Sequence, residues 1–166
     1  MQARRAAAQA NTGDRVVATN RRARHDYDIV DTLECGMVLT GSEVKSLRSN
    51  HAQIADAYAR VDDGELWLFA MHIPAWKFAV GFGSHEPDRR RKLLVHRQEL
   101  HRWDSQLRTQ PLTMVPLSVY FSHGQAKVSL ALAHGRTQYD RRHALAEREA
   151  RREMDRAAKQ VGRFDH

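Results

Sequence analysis

Cysteine is nearly absent: Cys35 is the single one in 166 residues. One thiol excludes an internal disulfide framework and fits a reducing compartment. Long apolar runs are missing too. None approaches the roughly 18 residues that a membrane-spanning helix needs. The opening MQARRAAAQANTGDR carries basic residues without the apolar stretch of a secretory signal. A soluble, cytoplasmic protein is expected. Catalytic patterns are equally scarce. The ten histidines are scattered, with no His-Glu-x-x-His pattern and no neighbouring cysteine pair, so neither a metal site nor another cofactor is expected. GFGSHE has Gly81 and Gly83 but lacks the third glycine of a phosphate loop. Cys35 has no histidine beside it and reads as a small core residue. The expectation is a protein that is not an enzyme.

What is present is positive charge. The net charge is +7 and the sequence pI near 10.1, which points to a polyanionic partner, RNA or DNA before an acidic protein. Three zones follow one another. Residues 1–19 are Ala/Arg/Gln/Asn-rich without apolar periodicity and read as a disordered basic arm. Residues 20–133 hold nearly all the large apolar side chains and read as the folded domain. Residues 134–166 form a charged tail.

The middle zone is mainly strand. YDIVDTLECGMVL reads as one long strand with a bulge or bend at Gly36. DAYARVDDGELWLFAMHI reads as a hairpin around Asp62-Asp63-Gly64. PLTMVPLSVYFSHGQAKVSLALA reads as a second hairpin turning at His123-Gly124, with Val115, Leu117, Val119 and Phe121 on one face and Pro116 at an edge or bulge. Ser42 is the expected N-cap of a short helix. A longer helix is predicted over Arg91–Gln110, from the spacing of Leu93, Leu94, Leu100, Trp103 and Leu107. Trp67 and Trp103 are expected in the core. The predicted fold is mainly β with flanking helices, a small oligonucleotide-binding (OB)-like barrel plus a charged tail.

Basic residues cluster in TNRRARHDY and in DRRRKLLVHR, with Lys45 and Arg48 as a third, smaller group. Arginines grip phosphates in pairs, and His or Tyr rings stack on bases. A plain solvated surface is the competing explanation. Cations at a helix start oppose the macrodipole, so local helix stability does not account for Arg89 to Lys92.

NRRARHDY, GSEVKSLR, DAYARVDDGELWLFAMHI, RKLLVHRQEL and ALAHGRTQYDRR occur in that order. Together they resemble the signature segments of the SsrA-binding protein family, also called small protein B (SmpB). The resemblance runs from about Asn20 to Arg142. It implies an OB-type barrel that binds the tRNA-like domain of tmRNA and travels with alanyl-tmRNA and elongation factor Tu to stalled ribosomes. The barrel would replace the missing anticodon arm. The tail, unstructured when free, would form a helix in the decoding centre and mRNA channel and allow tagging. A monomer is the default expectation.

Carried over residue by residue, the resemblance implies tmRNA contacts at Asn20, Arg22, Arg24, His25, Tyr27, Glu34, Lys45, Arg48, Lys92, Leu94 and His96. It implies decoding-centre contacts at Gly135, Arg136, Tyr139, Asp140, Arg141 and Arg142, with Tyr139 stacking on a ribosomal base. Thr137 departs from the second basic residue common in the family. Ala157 and Ala158 stand where some relatives are bulky, with Val161 and Phe164 as alternatives. A non-specific single-stranded RNA-binding protein associated with ribosomes is the other reading. The tail holds nine Lys/Arg against six Asp/Glu, and between Asp140 and Lys159 its large apolar residues are Leu145 and Met154. A helix with so little to bury suits an RNA-walled partner and folding on binding.

Overall fold

The computed structural model describes residues 15–49, 52–79 and 83–161. Among these residues seven strands and four helices follow in chain order: β1 (Arg15–Thr19), α1 (Ala23–Asp26), β2 (Tyr27–Met37), α2 (Gly41–Ser49), β3 (Tyr58–Asp62), β4 (Glu65–Phe69), β5 (Arg91–Leu94), α3 (Arg97–Thr109), β6 (Thr113–Ser122), β7 (Gln125–Gly135) and α4 (Gln138–Val161). Every strand pair is antiparallel. The neighbours run β6–β3–β4–β5–β2–β7 and return to β6, so the sheet is ring-like, with β1 added to the far half of β6. This is the OB-like architecture expected. Two seams are short: β3 meets β6 at Ala59↔Met114, and β2 meets β5 at Gly36↔Leu94 and Met37↔Leu93.

Turn chemistry sets both hairpins. Asp63 and Gly64 have φ of 49° and 72°, and His123 and Gly124 have 49° and 76°. Two left-handed residues in succession give the turn whose twist matches that of the flanking strands. Inside the ring pack Leu33, Cys35, Leu66, Leu68, Leu93, Val128, Leu130 and Leu132, joined by Leu47 of α2 and Trp103 of α3. Leucines buried to this degree contribute about 1.5–3 kcal/mol each. Trp103 also donates its indole N–H to Asp31 Oδ2 at 2.9 Å, which fixes α3 against β2.

Several expectations change. Arg15–Thr19 belong to β1 rather than to an arm, because Val17 and Ala18 reach the core as β1 pairs with β6. The expectation of disorder for residues 1–14 lies outside the described residues. The bulge of β2 falls between Ile29 and Asp31, leaving Val30 exposed, and not at Gly36. A bulge between Pro116 and Ser118 reverses the face of β6. Val115 and Leu117 therefore pack with Ala23 in a small second cluster, while Val119 and Phe121 enter the main core. Thr40, not Ser42, precedes the first turn of α2; its N–H donates to Glu43 Oε2 at 2.9 Å and its carbonyl accepts from Val44. The helix predicted from Arg91 divides into a strand and a helix. Arg91 and Leu93 point inward and Lys92 and Leu94 outward, a period of two that a helical reading of two adjacent leucines conceals. The expectation for Leu100, Trp103 and Leu107 stands, since all three pack on the core from α3.

Candidate nucleic-acid interface

The arginine-rich opening is a tight structure. Asn20 is buried and holds it: its side-chain amide donates to the carbonyls of Pro116 at 3.1 Å and Ile54 at 3.4 Å, while its Oδ1 accepts from the Ala23 amide at 3.1 Å. All three bonds are within the protein, so Asn20 positions the turn rather than offering its amide outward. Arg21, Arg22 and Arg24 are exposed on that turn. Arg22 lies 3.8 Å from Asp26, and His25 Nδ1 is 2.8 Å from the same carboxylate. Tyr27 is half-buried against the second cluster.

The start of the tail is fastened to this turn. Tyr27 pairs with Gly135 across β2 and β7. The Arg136 amide donates to the Asp26 carbonyl at 2.9 Å, and its guanidinium lies 3.7 Å from Asp28. Beyond the clasp no described side chain of α4 joins the core. Leu145 and Met154 are exposed, and Arg148 reaches the Arg24 carbonyl at 3.3 Å. A tail unstructured when free was expected; here its backbone is helical from Gln138, as its Ala, Arg and Glu content favours. Arg142 is exposed. The side chains of Tyr139, Asp140 and Arg141 lie outside the described residues, as do those of Ala158 and Val161 and the whole of Phe164.

Further along β2, Glu34 points outward. It accepts from Lys127 at 2.6 Å and from the Tyr120 hydroxyl. Those two hydrogen bonds, Lys127 first, outweigh partial burial and hold its carboxyl below the usual carboxylate range. Leu94 is 53% exposed beside Gly36 on the same outer face. His96 is exposed two residues later, just before α3. Glu34, Lys127, Tyr120 and Leu94 thus form one patch. Sequence reasoning missed Lys127 and Tyr120, because only the β2–β7–β6 register brings them to Glu34.

The second basic cluster is spent internally. Arg89 and Arg91 both bind Glu43, at 2.5 and 2.8 Å, and Glu43 and Arg91 are fully buried. Burial pushes the Glu43 carboxyl up, but Arg89, the Thr40 amide and Arg91 outweigh it and hold it below its usual range. Arg90 pairs with Asp62 at 3.2 Å and covers Trp67 at 4.4 Å, so Trp67 belongs to the outer face and not to the core. Lys92 pairs with Glu65 while remaining partly exposed. Lys45 and Arg48 are exposed on α2. Arg48 lies 5.6 Å over Phe121, on the opposite face of β6 from Tyr120, so these two do not join the Glu34 patch. Cys35 is buried, and burial, with Glu99 and Glu34 adding, pushes its thiol up to about 12. That suits a core residue and not a nucleophile. Among the described residues no group of three His, Cys, Asp or Glu could hold a metal ion, and no helix is long and apolar enough to cross a membrane.

A ring-like sheet of OB type, with arginines massed at one end of β2 and a mixed polar and apolar patch further along it, defines a class of OB-like β-ring proteins with a basic face suited to a polyanion. Comparison with known proteins narrows the class. The family model described as SmpB protein matches residues 17–160, and the chain belongs to that family. It is 54% identical over 145 residues to the SsrA-binding protein of Parafrankia sp. (strain EAN1pec), covering 87% of this chain and 91% of that one. It is 52% identical over 145 residues to the SsrA-binding protein of Thermobifida fusca (strain YX), covering 87% and 90%. A solved structure described as "tmRNA-SmpB: a journey to the center of the bacterial ribosome" superposes with a TM-score of 0.61 at 41% identity, covering 78% of this chain and 94% of that one.

Proposed function

We propose that this chain binds the tRNA-like domain of tmRNA and acts with it on stalled ribosomes as a trans-translation factor. The observation that carries the reading is the convergence along β2. The arginine turn, Tyr27, Glu34 and Leu94 occur in one strip, and Arg136 ties the root of the tail to its end. Phosphates meet Arg22 and Arg24 by bidentate charge-assisted bonds. Glu34, held by Lys127 and Tyr120, accepts from base or ribose donors, and Leu94 offers an apolar contact. Residues 20–133 carry the RNA affinity.

The tail is the ribosomal element. Its net charge of +3 over residues 134–166 suits an RNA-walled channel. A helix whose described apolar residues Leu145 and Met154 stay exposed is marginal alone and gains order when the channel surrounds it. Gly135, Arg136, Tyr139, Asp140, Arg141 and Arg142 engage the decoding centre, with Tyr139 stacking on an unpaired base. The protein works in the cytoplasm as a monomer, in company with elongation factor Tu on alanyl-tmRNA, and changes no covalent bond.

The test is a gel-shift titration at physiological salt with the tRNA-like domain as probe and tRNA-Ala and an unrelated hairpin as competitors. Preference for the tRNA-like domain is expected. Equal competition by all three leaves only a non-specific RNA binder.

A further inference from the structure

A cleft of about 380 Å³ separates the arginine turn from the loop before β3, within the size range of small-ligand pockets. Its lining includes Arg22, Asp26, Tyr27, Asp56, Tyr58 and Thr113. Neither Asp56 nor Tyr58 stood out in the sequence. The cleft is braced from below. Buried Asn20 bonds to carbonyls on both of its sides, Ile54 before the loop and Pro116 on β6, which fixes the separation of the walls.

The Tyr58 wall is fixed as well. Its ring stacks on Phe69 at 5.4 Å and 12°, and Arg60 covers Phe69 at 4.9 Å. Tyr58 nevertheless remains 42% exposed. An aromatic ring held in place with accessible area is what an unpaired base stacks on. Asp56 is exposed and makes no hydrogen bond or ion pair with another described residue, whereas Asp26 is engaged by His25 and Arg22.

Charge decides which part of a nucleotide fits. A phosphate inside the cleft would face two carboxylates, while Arg22, 72% exposed at the rim and held by its 3.8 Å pair with Asp26, is placed to take it there. A base inside would find a ring to stack on and, in Asp56, an acceptor without a partner among the described residues. A free carboxylate receives two N–H donors at once. Guanine presents that pair along one edge, at N1 and N2. Adenine, cytosine and uracil each set a donor beside an acceptor, which a carboxylate repels.

We infer that this cleft takes a single unpaired guanine of the bound RNA, stacked on Tyr58, with its N1–H and N2–H donated to Asp56 and its phosphate on Arg22. The inference rests on the RNA-binding reading above and adds a base-selective pocket to it.

The experiment uses the full chain and the tRNA-like domain, combining affinity measurements with chemical probing of guanine N1 and N2. The unmodified chain is expected to shield one unpaired guanine. Asp56→Asn should restore the reactivity of that guanine, keep the rest of the footprint and raise Kd several-fold. Tyr58→Ala should raise Kd by about tenfold, whereas Tyr58→Phe keeps the ring and the affinity. Asp56 is exposed and pairs with no described residue, so its replacement does not endanger the fold. RNA binding without any shielded guanine, or a Kd unchanged by Asp56→Asn and Tyr58→Ala, overturns the pocket and leaves the RNA-binding reading intact. No binding by the unmodified chain overturns both.

Discussion

Replacing Glu43 by alanine removes the common partner of Arg89, Arg91 and the Thr40 amide. Arg89 is partly exposed and turns to water. Arg91 is fully buried, and its remaining partners are the carbonyls of Met71 and Pro87. An uncompensated buried charge of this kind costs about 3–5 kcal/mol. At roughly 2–4 °C per kcal/mol for a chain of this length, the melting midpoint should fall by about 6–20 °C. Urea unfolding followed by circular dichroism measures the loss, and a double-mutant cycle assigns it. Glu43→Leu combined with Arg91→Met removes both charges, so it should recover at least half of what Glu43→Ala loses. A loss below about 1 kcal/mol for Glu43→Ala, or a double variant that simply adds its two singles, would refute the argument.

The pair also has a pH signature. The folded-state pKa of Glu43 is lowered, so its contribution is complete above the unfolded carboxylate value, about 4.3. It is lost as pH falls from there through the folded value. Glu43→Gln should therefore flatten that part of the acid limb in urea titrations between pH 5 and about pH 2; an unchanged slope counts against the assignment.

Glu34→Ala should weaken binding of the tRNA-like domain although it removes a negative charge, because Lys127 and Tyr120 lose the group that orients them; tighter binding in a filter assay means that Glu34 merely repels phosphate. Tyr139→Ala should leave the affinity for that RNA unchanged while lowering tagging on stalled ribosomes in a reconstituted translation assay, and normal tagging removes the stacking role. Truncation after Thr137 keeps β7 and the Arg136 clasp, so it should keep RNA affinity within about twofold; abolished binding means that the tail carries the recognition step. Cutting at His134 is a poorer test, since His134 and Gly135 pair with Asp28 and Tyr27.

Strand alternation and turn residues made both hairpins readable in the sequence, because Asp63-Gly64 and His123-Gly124 require a local backbone that few residues adopt. The bulge at Val30 was not readable, since it answers to a partner strand distant in the chain; Pro116 marked the bulge of β6, but not the reversal of face that it brings. The same distance hid the fate of Arg89, Arg90 and Arg91. A run of cations looks available for phosphate until Glu43 and Asp62 are found beside it, 46 and 28 residues away. Asn20 shows the opposite effect, a residue in a recognisable motif whose amide proves to be a brace. Of the candidate interface, the turn and Glu34 were legible as motifs; Lys127, Tyr120 and Tyr58 needed the register.

The bond from the Arg136 amide to the Asp26 carbonyl gives the tail a fixed origin on the sheet. Counted from there, the 24 residues of α4 extend about 36 Å as a continuous helix. The chain is thus a gauge as well as a clamp. The distance between the arginine turn and the far end of the tail is set by residue count, and each added helical residue would lengthen it by about 1.5 Å and rotate everything beyond by about 100°.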